Sequence, residues 1–360
     1  MIMGIMMKYS DWIDDGKEVK EDTRKRVCLV KVTNNDDTSQ DLSCLMGPWY
    51  YVIKNVLKRY DIKVSYYGIS GRDFGATHDI GDIANADLVI WFTDREYRFH
   101  NDTMSPAIEE KVLGRLAEIN GVIDGKEIII LSNEPADTLE LFRDVVFAGR
   151  KPKLHYILES DFVPSIQTLR YYFIKEHLES VNRFLDDGER KYDFCYYGTA
   201  KSKNNDGTKS TDERALILRQ IRKELGRKRS LYMGSIISNS DRGYRNDSTE
   251  LMSDLTSANA TLCFVWPGRE KYVTARYQEA LACGMVPLLW KDFDSENTAC
   301  GDAWLRCRSV GDVLSKVEAL RDDEFRKRMV SKLTVDFESK VLPKEHFINE
   351  CDRMVGKYLI

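Results

Sequence analysis

Arg276 and Glu279 stand three residues apart in the segment YVTARYQEALACGMVP. That spacing puts both side chains on one face of a helix, and the segment predicts a helix over 274–282 that ends at Cys283-Gly284. An arginine in the first turns of a helix adds a guanidinium to backbone N–H groups that already favour an anion, so it can clamp a phosphate. A carboxylate beside it can accept hydrogen bonds from both hydroxyls of a ribose. The pair suits nucleotide chemistry; the plainer alternative is an exposed ion pair. Tyr197-Gly198-Thr199 and Gly234-Ser235 each close an apolar, strand-like run. Small residues there let the backbone approach a phosphate or a base closely; the alternative is a simple turn.

These residues need a scaffold, and the chain supplies a regular one. A strand over 26–32 gives way to a polar loop holding Asp36 and Asp37, and a helical stretch follows Gly47-Pro48. A second strand over 62–67 completes a βαβ unit, which implies parallel pairing. Strands over 86–92 and 126–131 flank a helix over 105–119; the first ends in Thr93-Asp94, the second in Ser132-Asn133-Glu134. Composition shifts near 150–190, where a mostly helical stretch over 158–191 ends in a charged turn and leads to a second series. Its strands are expected at 192–198, 230–234, 260–265 and 285–290, and its helices at 212–225, 248–258 and 274–282. Two more helices are expected at the end, one before Asp322 and one after Lys344. Near-continuous apolar strands are those of buried parallel sheets. The expectation is an α/β chain of two Rossmann-like, doubly wound domains: an N-terminal extension over 1–25, a first domain over 26–165, a crossing over 166–190, a second domain over 191–340, and a final helix over 341–360 crossing back. Ligands in such sheets bind beyond the carboxyl ends of the strands. The loops after Val32, Phe92, Leu131, Gly198, Gly234 and Val265 are therefore expected to share one cleft.

Composition narrows the class. With 360 residues, 42% of them hydrophobic and 31% charged, the chain is neither disordered nor a disulfide-stapled mini-protein. Its eight cysteines show no CxxC spacing and no Cys/His pattern of a zinc site, so buried thiols in a reducing compartment are expected, with no dedicated metal site. No apolar run approaches the roughly 20 residues that span a bilayer, and the first residues lack the layout of a signal peptide. A cytoplasmic protein without a membrane partner is the expectation. A net charge of −4 argues against a strongly basic nucleic-acid coat but leaves room for a local basic face, since bases cluster over 201–229 and 269–276.

An arginine, a glutamate three residues on, a helix ending in glycine and then an apolar strand resemble the nucleotide-sugar site of GT-B glycosyltransferases. The longer block YVTARYQEALACGMVPLLWKDFD, with its Phe-Asp turn, is similar to that of the phage DNA β-glucosyltransferases, which modify hydroxymethylcytosine in the DNA of T-even phages. Tyr197-Gly198-Thr199, with Lys201, Lys203 and Arg214 downstream, resembles that family's Gly-Ser loop and its two phosphate-binding arginines; Arg214 is the better match. Glu159-Ser160-Asp161-Phe162-Val163-Pro164 resembles its acidic–aromatic–proline segment. The resemblance runs from Arg26 onward and is strongest over 192–294.

The resemblance implies a GT-B fold, two Rossmann-like domains facing a central cleft, and a UDP-sugar donor. Glucose is the family default; arabinose or another sugar is open. Arg276 and Arg214, with Lys201, would hold the diphosphate, and Glu279 the ribose. Gly198, Thr199, Gly234 and Ser235 would approach phosphate or base. Mg2+ or Mn2+ would accompany the diphosphate loosely. The implied acceptor is the hydroxyl of a 5-hydroxymethyl-pyrimidine, hydroxymethylcytosine first, in duplex DNA, with the base flipped out of the stack. Lys203, Lys209, Arg95 and Arg98 are candidate DNA contacts, together with His100 and the basic run over 219–229, which reads equally as a solvated helix end. A monomer is expected.

The acceptor half departs from the pattern. Where the family places an aspartate as general base, this chain has Asn133, and an amide cannot take a proton. Glu134, Asp137 and Asp94 are the carboxylates left to do so. The family's second acidic residue falls at Gly47-Pro48, with Asp36 and Asp37 as possible substitutes. Two other functions therefore stay open: a GT-B enzyme acting on a carbohydrate or small molecule, and a non-catalytic nucleotide- or DNA-binding protein.

Overall fold

The computed structural model of the chain describes residues 24–31, 52–53, 55–68, 79–93, 106–132, 147, 149–158, 169–180, 190–198, 213–233, 248–264, 273–291, 293–295, 297 and 301–360. These form two compact units, each built on one five-stranded parallel sheet.

The first unit holds β1 (Lys25–Lys31), β2 (Ile62–Gly68), α1 (Ile80–Ala84), β3 (Leu88–Thr93), α2 (Pro106–Asn120), β4 (Glu127–Ser132) and β5 (Lys153–Leu158), in the sheet order β2-β1-β3-β4-β5. Leu88, Val89, Ile90, Trp91 and Phe92 are all fully buried, so β3 packs apolar side chains on both faces of its sheet. This is what a central parallel strand requires.

The second unit holds α3 (Leu169–Ser180), β6 (Tyr192–Tyr197), α4 (Glu213–Arg229), β7 (Ser230–Met233), α5 (Ser248–Leu255), β8 (Ala258–Cys263), α6 (Ala275–Ala282), β9 (Val286–Trp290), β10 (Arg306–Cys307), α7 (Val310–Ala319) and α8 (Asp323–Lys340). Its order is β10-β9-β8-β6-β7. Read from β2 in the first sheet and from β7 in the second, the two orders are the same. Strand order therefore reverses between β1 and β3 in one unit, and between β6 and β8 in the other. That reversal opens a crevice at the carboxyl ends of the strands, where such sheets hold ligands.

The last helix, α9 (Lys344–Leu359), joins the first unit from Glu345 on. Tyr60 Oη donates to Asp352 Oδ1 at 2.7 Å, Arg59 pairs with the same carboxylate, and Tyr358 lies 5.2 Å from the His155 ring. Gly356 sits under Tyr60, whose Oη would stand 2.6 Å from a Cβ added there.

Several elements differ from the sequence expectation, among them α1 and β10, which it did not contain. β5 was not anticipated and ends where the stretch over 158–191 read as mostly helical begins; among the described residues it is an edge strand with one partner, β4, and it carries Lys153 and His155, so its apolar run is diluted. Three helices close the chain instead of two, because α8 was not anticipated. Its buried residues Arg326, Met329, Leu333 and Phe337 follow helical spacing, but one of the four is an arginine and the rest of the helix is highly charged. α4 also runs on to Arg229, through a kink at Gly226, whose φ is 72°.

Candidate functional site

α6 carries Arg276 and Glu279, and its two ends are held differently. At the carboxyl end, Gly284 takes φ 67° and Met285 N donates to Ala280 O at 2.8 Å, which closes the helix as the sequence suggested. Two arginines then gather the carbonyls there. Arg326, almost wholly buried, donates to Gly284 O at 3.0 Å. Arg190 donates to Gly284 O at 3.2 Å, to Cys283 O at 3.1 Å, and to Ala258 O on β8 at 3.1 Å. Each carbonyl that accepts from a guanidinium gains a charge-assisted bond. The helix is thereby fixed against the start of β8, and its amino end projects Arg276 toward the β6/β8 reversal.

There Arg276 meets the end of β6. Its guanidinium carbon lies 4.6 Å from the Tyr196 ring centre and 4.2 Å from that of Tyr197. Among the described residues its one hydrogen bond runs from Nη1 to the Tyr197 carbonyl. Both aromatic faces attract the cation, and a guanidinium carries five N–H donors, so this seat orients Arg276 without exhausting it. The next residue, Gly198, has φ 134°; a Cβ there would lie 2.7 Å from Arg276 Nη2. The sequence singled out Gly198 for close approach of a ligand; in the structure it makes room for the arginine itself. Glu279 is buried one turn further along α6, 3% exposed. Thr274 makes no side-chain cap on this helix.

Arg214 is the second residue of α4 and half-buried. Its neighbour Glu213 pairs with Lys291, at the end of β9. The structure thus puts Gly198, Arg214, Arg276 and Glu279 in one unit, with Arg276 seated against Gly198. Thr199, Lys201, Lys203, Lys209, Gly234 and Ser235 lie outside the described residues, as do Asp94, Arg95, Arg98, Asn133, Glu134 and Asp137. Among the described residues no group of three or more His, Cys, Asp or Glu is placed to hold a metal ion. No helix among them is long and apolar enough to cross a membrane.

The basic run over 219–229 has structural work. Arg219 Nε donates to Ala215 O at 3.1 Å, Arg222 lies 5.0 Å from the Tyr232 ring centre, and Arg229 bonds Asp193 and Glu318. Its last residues lead into the amino end of β7, whereas Arg276 sits at the carboxyl end of the parallel neighbour β6.

One part of the site was not foreseen, the Tyr196–Tyr197 seat. A pair of tyrosines ending a strand was visible, but an arginine some eighty residues away that stacks on them was not.

No protein-family model matches the sequence, and no curated protein matches it. Solved structures do. The chain is similar to T4 phage β-glucosyltransferase in complex with UDP and Mn2+, at 13% identity and a TM-score of 0.55, over 91% of this chain and 99% of that one. With the T4 phage enzyme bound to UDP-glucose the values are 12%, 0.51, 93% and 99%. With a structure described as the DNA modifying enzyme β-glucosyltransferase they are 12%, 0.50, 91% and 98%. The fold of this chain is that of a GT-B glycosyltransferase, with two parallel-sheet α/β units.

Proposed function

We propose that this chain is a glycosyltransferase that takes its sugar from a UDP-sugar, with the donor held by the second unit. The observation that carries the reading is the seat of Arg276. A cation is fixed by two aromatic rings at the strand-order reversal of the second sheet, in a fold shared with an enzyme solved with UDP-glucose. Arg276 and Arg214 bind the diphosphate and Glu279 binds the ribose.

The acceptor in this reading is the hydroxyl of a hydroxymethylated pyrimidine in DNA, taken by the first unit. It is supported by the likeness to a DNA modifying enzyme and by the residue matches over 192–294. The reaction is a single displacement. A carboxylate among Glu134, Asp137 and Asp94 takes the hydroxyl proton, and the oxygen forms a bond to the anomeric carbon. The bond from that carbon to the diphosphate oxygen breaks, and its electron pair leaves with UDP. The charge that grows on the leaving oxygen is met by arginines already oriented, which is the most effective kind of stabilisation in a water-poor site. Arg276 needs little reorganisation to do this, because Tyr196 and Tyr197 hold it beforehand.

The test is transfer of label from UDP-[14C]glucose, and from other labelled UDP-sugars, to hydroxymethylcytosine DNA, unmodified DNA and small saccharides. Label in the hydroxymethylated DNA alone supports the reading. Label in saccharides moves the acceptor to carbohydrate, and UDP binding with no transfer to any acceptor removes the enzymatic reading.

A further inference from the structure

Among its described residues, the turn that follows β9 contains three non-glycine residues with left-handed backbone: Lys291 at φ 43°, Asp294 at 47° and Asn297 at 54°. Aspartate and asparagine enter this region more readily than other residues; Lys291 has no such help. Conformations of this kind persist only where the surroundings over-determine them, and they gather at ligand clamps and active sites. Among the described residues, Arg306 supplies the side-chain bonds that hold the middle and end of this turn. Its Nη2 donates to Asp294 O at 2.7 Å and to Asn297 Oδ1 at 2.7 Å, and its Nη1 to Phe293 O. Lys291 N donates to Cys307 O at 2.9 Å, which fastens the start of the turn to β10.

The turn reaches both helices that carry the candidate phosphate-binding arginines. Phe293 is fully buried and stacks on Tyr277 of α6, with ring centres 6.4 Å apart and planes at 27°. Tyr277 directly follows Arg276. The same ring meets Phe337 of α8 at 5.9 Å, so Tyr277 ties α6 to both α8 and the turn. At the start of the same turn, Lys291 pairs with Glu213, which directly precedes Arg214 on α4. One clamped turn therefore touches the neighbour of each arginine.

We propose that the turn over 291–297, held by Arg306, sets the spacing between Arg214 and Arg276 at the distance a diphosphate requires, with Arg306 as its positioning residue. The inference rests on the donor reading above and deepens it. Two cations engage a diphosphate together only when their separation is fixed, whereas a monophosphate needs one of them. Loss of the clamp therefore acts on UDP and spares UMP.

The experiment compares calorimetric affinities for UDP and UMP in the full chain and its Arg306→Ala variant, with circular dichroism confirming the fold. The expected result is a roughly tenfold loss for UDP, in line with the cost of a small misplacement of binding groups, and less than about a twofold loss for UMP. Phe293→Leu, which keeps the turn but removes the stacked ring, should shift the same ratio in the same direction, and it serves as the readout if Arg306→Ala does not fold. Equal losses for the two nucleotides, or unchanged UDP affinity in a folded variant, overturn the inference and leave the donor reading standing. A wild-type chain that binds no UDP overturns both.

Discussion

Gly198 and Arg276 compete for the same space: a methyl group on Gly198 would lie 2.7 Å from Arg276 Nη2. The glycine also holds φ 134°, where an alanine is strained. Gly198→Ala should therefore push the guanidinium off its seat. Thermal unfolding should report a loss of about 1–3 kcal/mol, and UDP affinity should fall roughly tenfold or more. Unchanged UDP affinity in this variant would show that the seat does not prepare Arg276 for a donor.

Arg276 and Glu279 are assigned to different parts of the nucleotide, and uridine separates them. Arg276→Ala should weaken UDP by about 2–3 kcal/mol, the scale of a hydrogen bond to a charged group, and leave uridine unchanged. Glu279→Ala should weaken both. Arg276→Lys should behave like the alanine variant, since an ammonium lacks the planar face that lies on Tyr196 and Tyr197. Titration of the three variants with UDP and uridine checks the assignment; a uridine loss in Arg276→Ala would contradict it.

Acid sensitivity should trace to Glu338, on α8. Burial pushes its carboxyl up, but bonds from Lys175 and from the Tyr171 hydroxyl, at 2.8 and 2.7 Å, outweigh that and hold it below the usual glutamate value. A carboxyl depressed in the folded state stabilises above the unfolded value and loses that contribution as pH falls through the folded one. The melting temperature of Glu338→Gln should thus lie below that of the wild type at neutral pH, and the gap should close as the pH falls below the usual glutamate value of 4.5. A gap that widens in acid would reverse the assignment.

The thiols should be inert in the native state. Burial pushes Cys28, Cys263 and Cys307 up to about 12 and raises Cys195 and Cys351 as well; Cys283 is also buried. Iodoacetamide at neutral pH should modify at most the remaining two of the eight cysteines, Cys44 and Cys300, with the other six reacting only after denaturation. Mass spectrometry of native and unfolded samples checks this.

Much of the fold was legible because parallel strands are buried on both faces. The runs at β1, β3, β4 and β8 are apolar enough to be read without any partner, and Gly284 marks the end of α6 in the sequence itself. β5 was not legible, because an edge strand with a lysine and a histidine carries little periodic signal. α8 was missed because its core face begins with Arg326, a residue that is buried only by virtue of the Gly284 carbonyl and Asp323 it binds. At the site, the local pair Arg276–Glu279 was visible through its helical spacing. Its seat on Tyr196 and Tyr197, and the Arg306 clamp, depend on contacts made only after the sheet has formed, and no local pattern encodes them.

The packing of α9 against the first unit has a consequence for biosynthesis. Its apolar residues Phe347, Ile348, Cys351, Val355 and Leu359 are buried on a unit whose sheet is translated long before them. A nascent chain must hold that sheet with part of its cover missing while the whole second unit is made. The first unit can reach its final form only once α9 has left the ribosome, so one cut in the chain between the two sheets parts the first sheet from the helix that covers it. A gene fragment ending after β5 would yield a sheet with an open apolar flank, and chaperone demand during synthesis should fall mainly on this half.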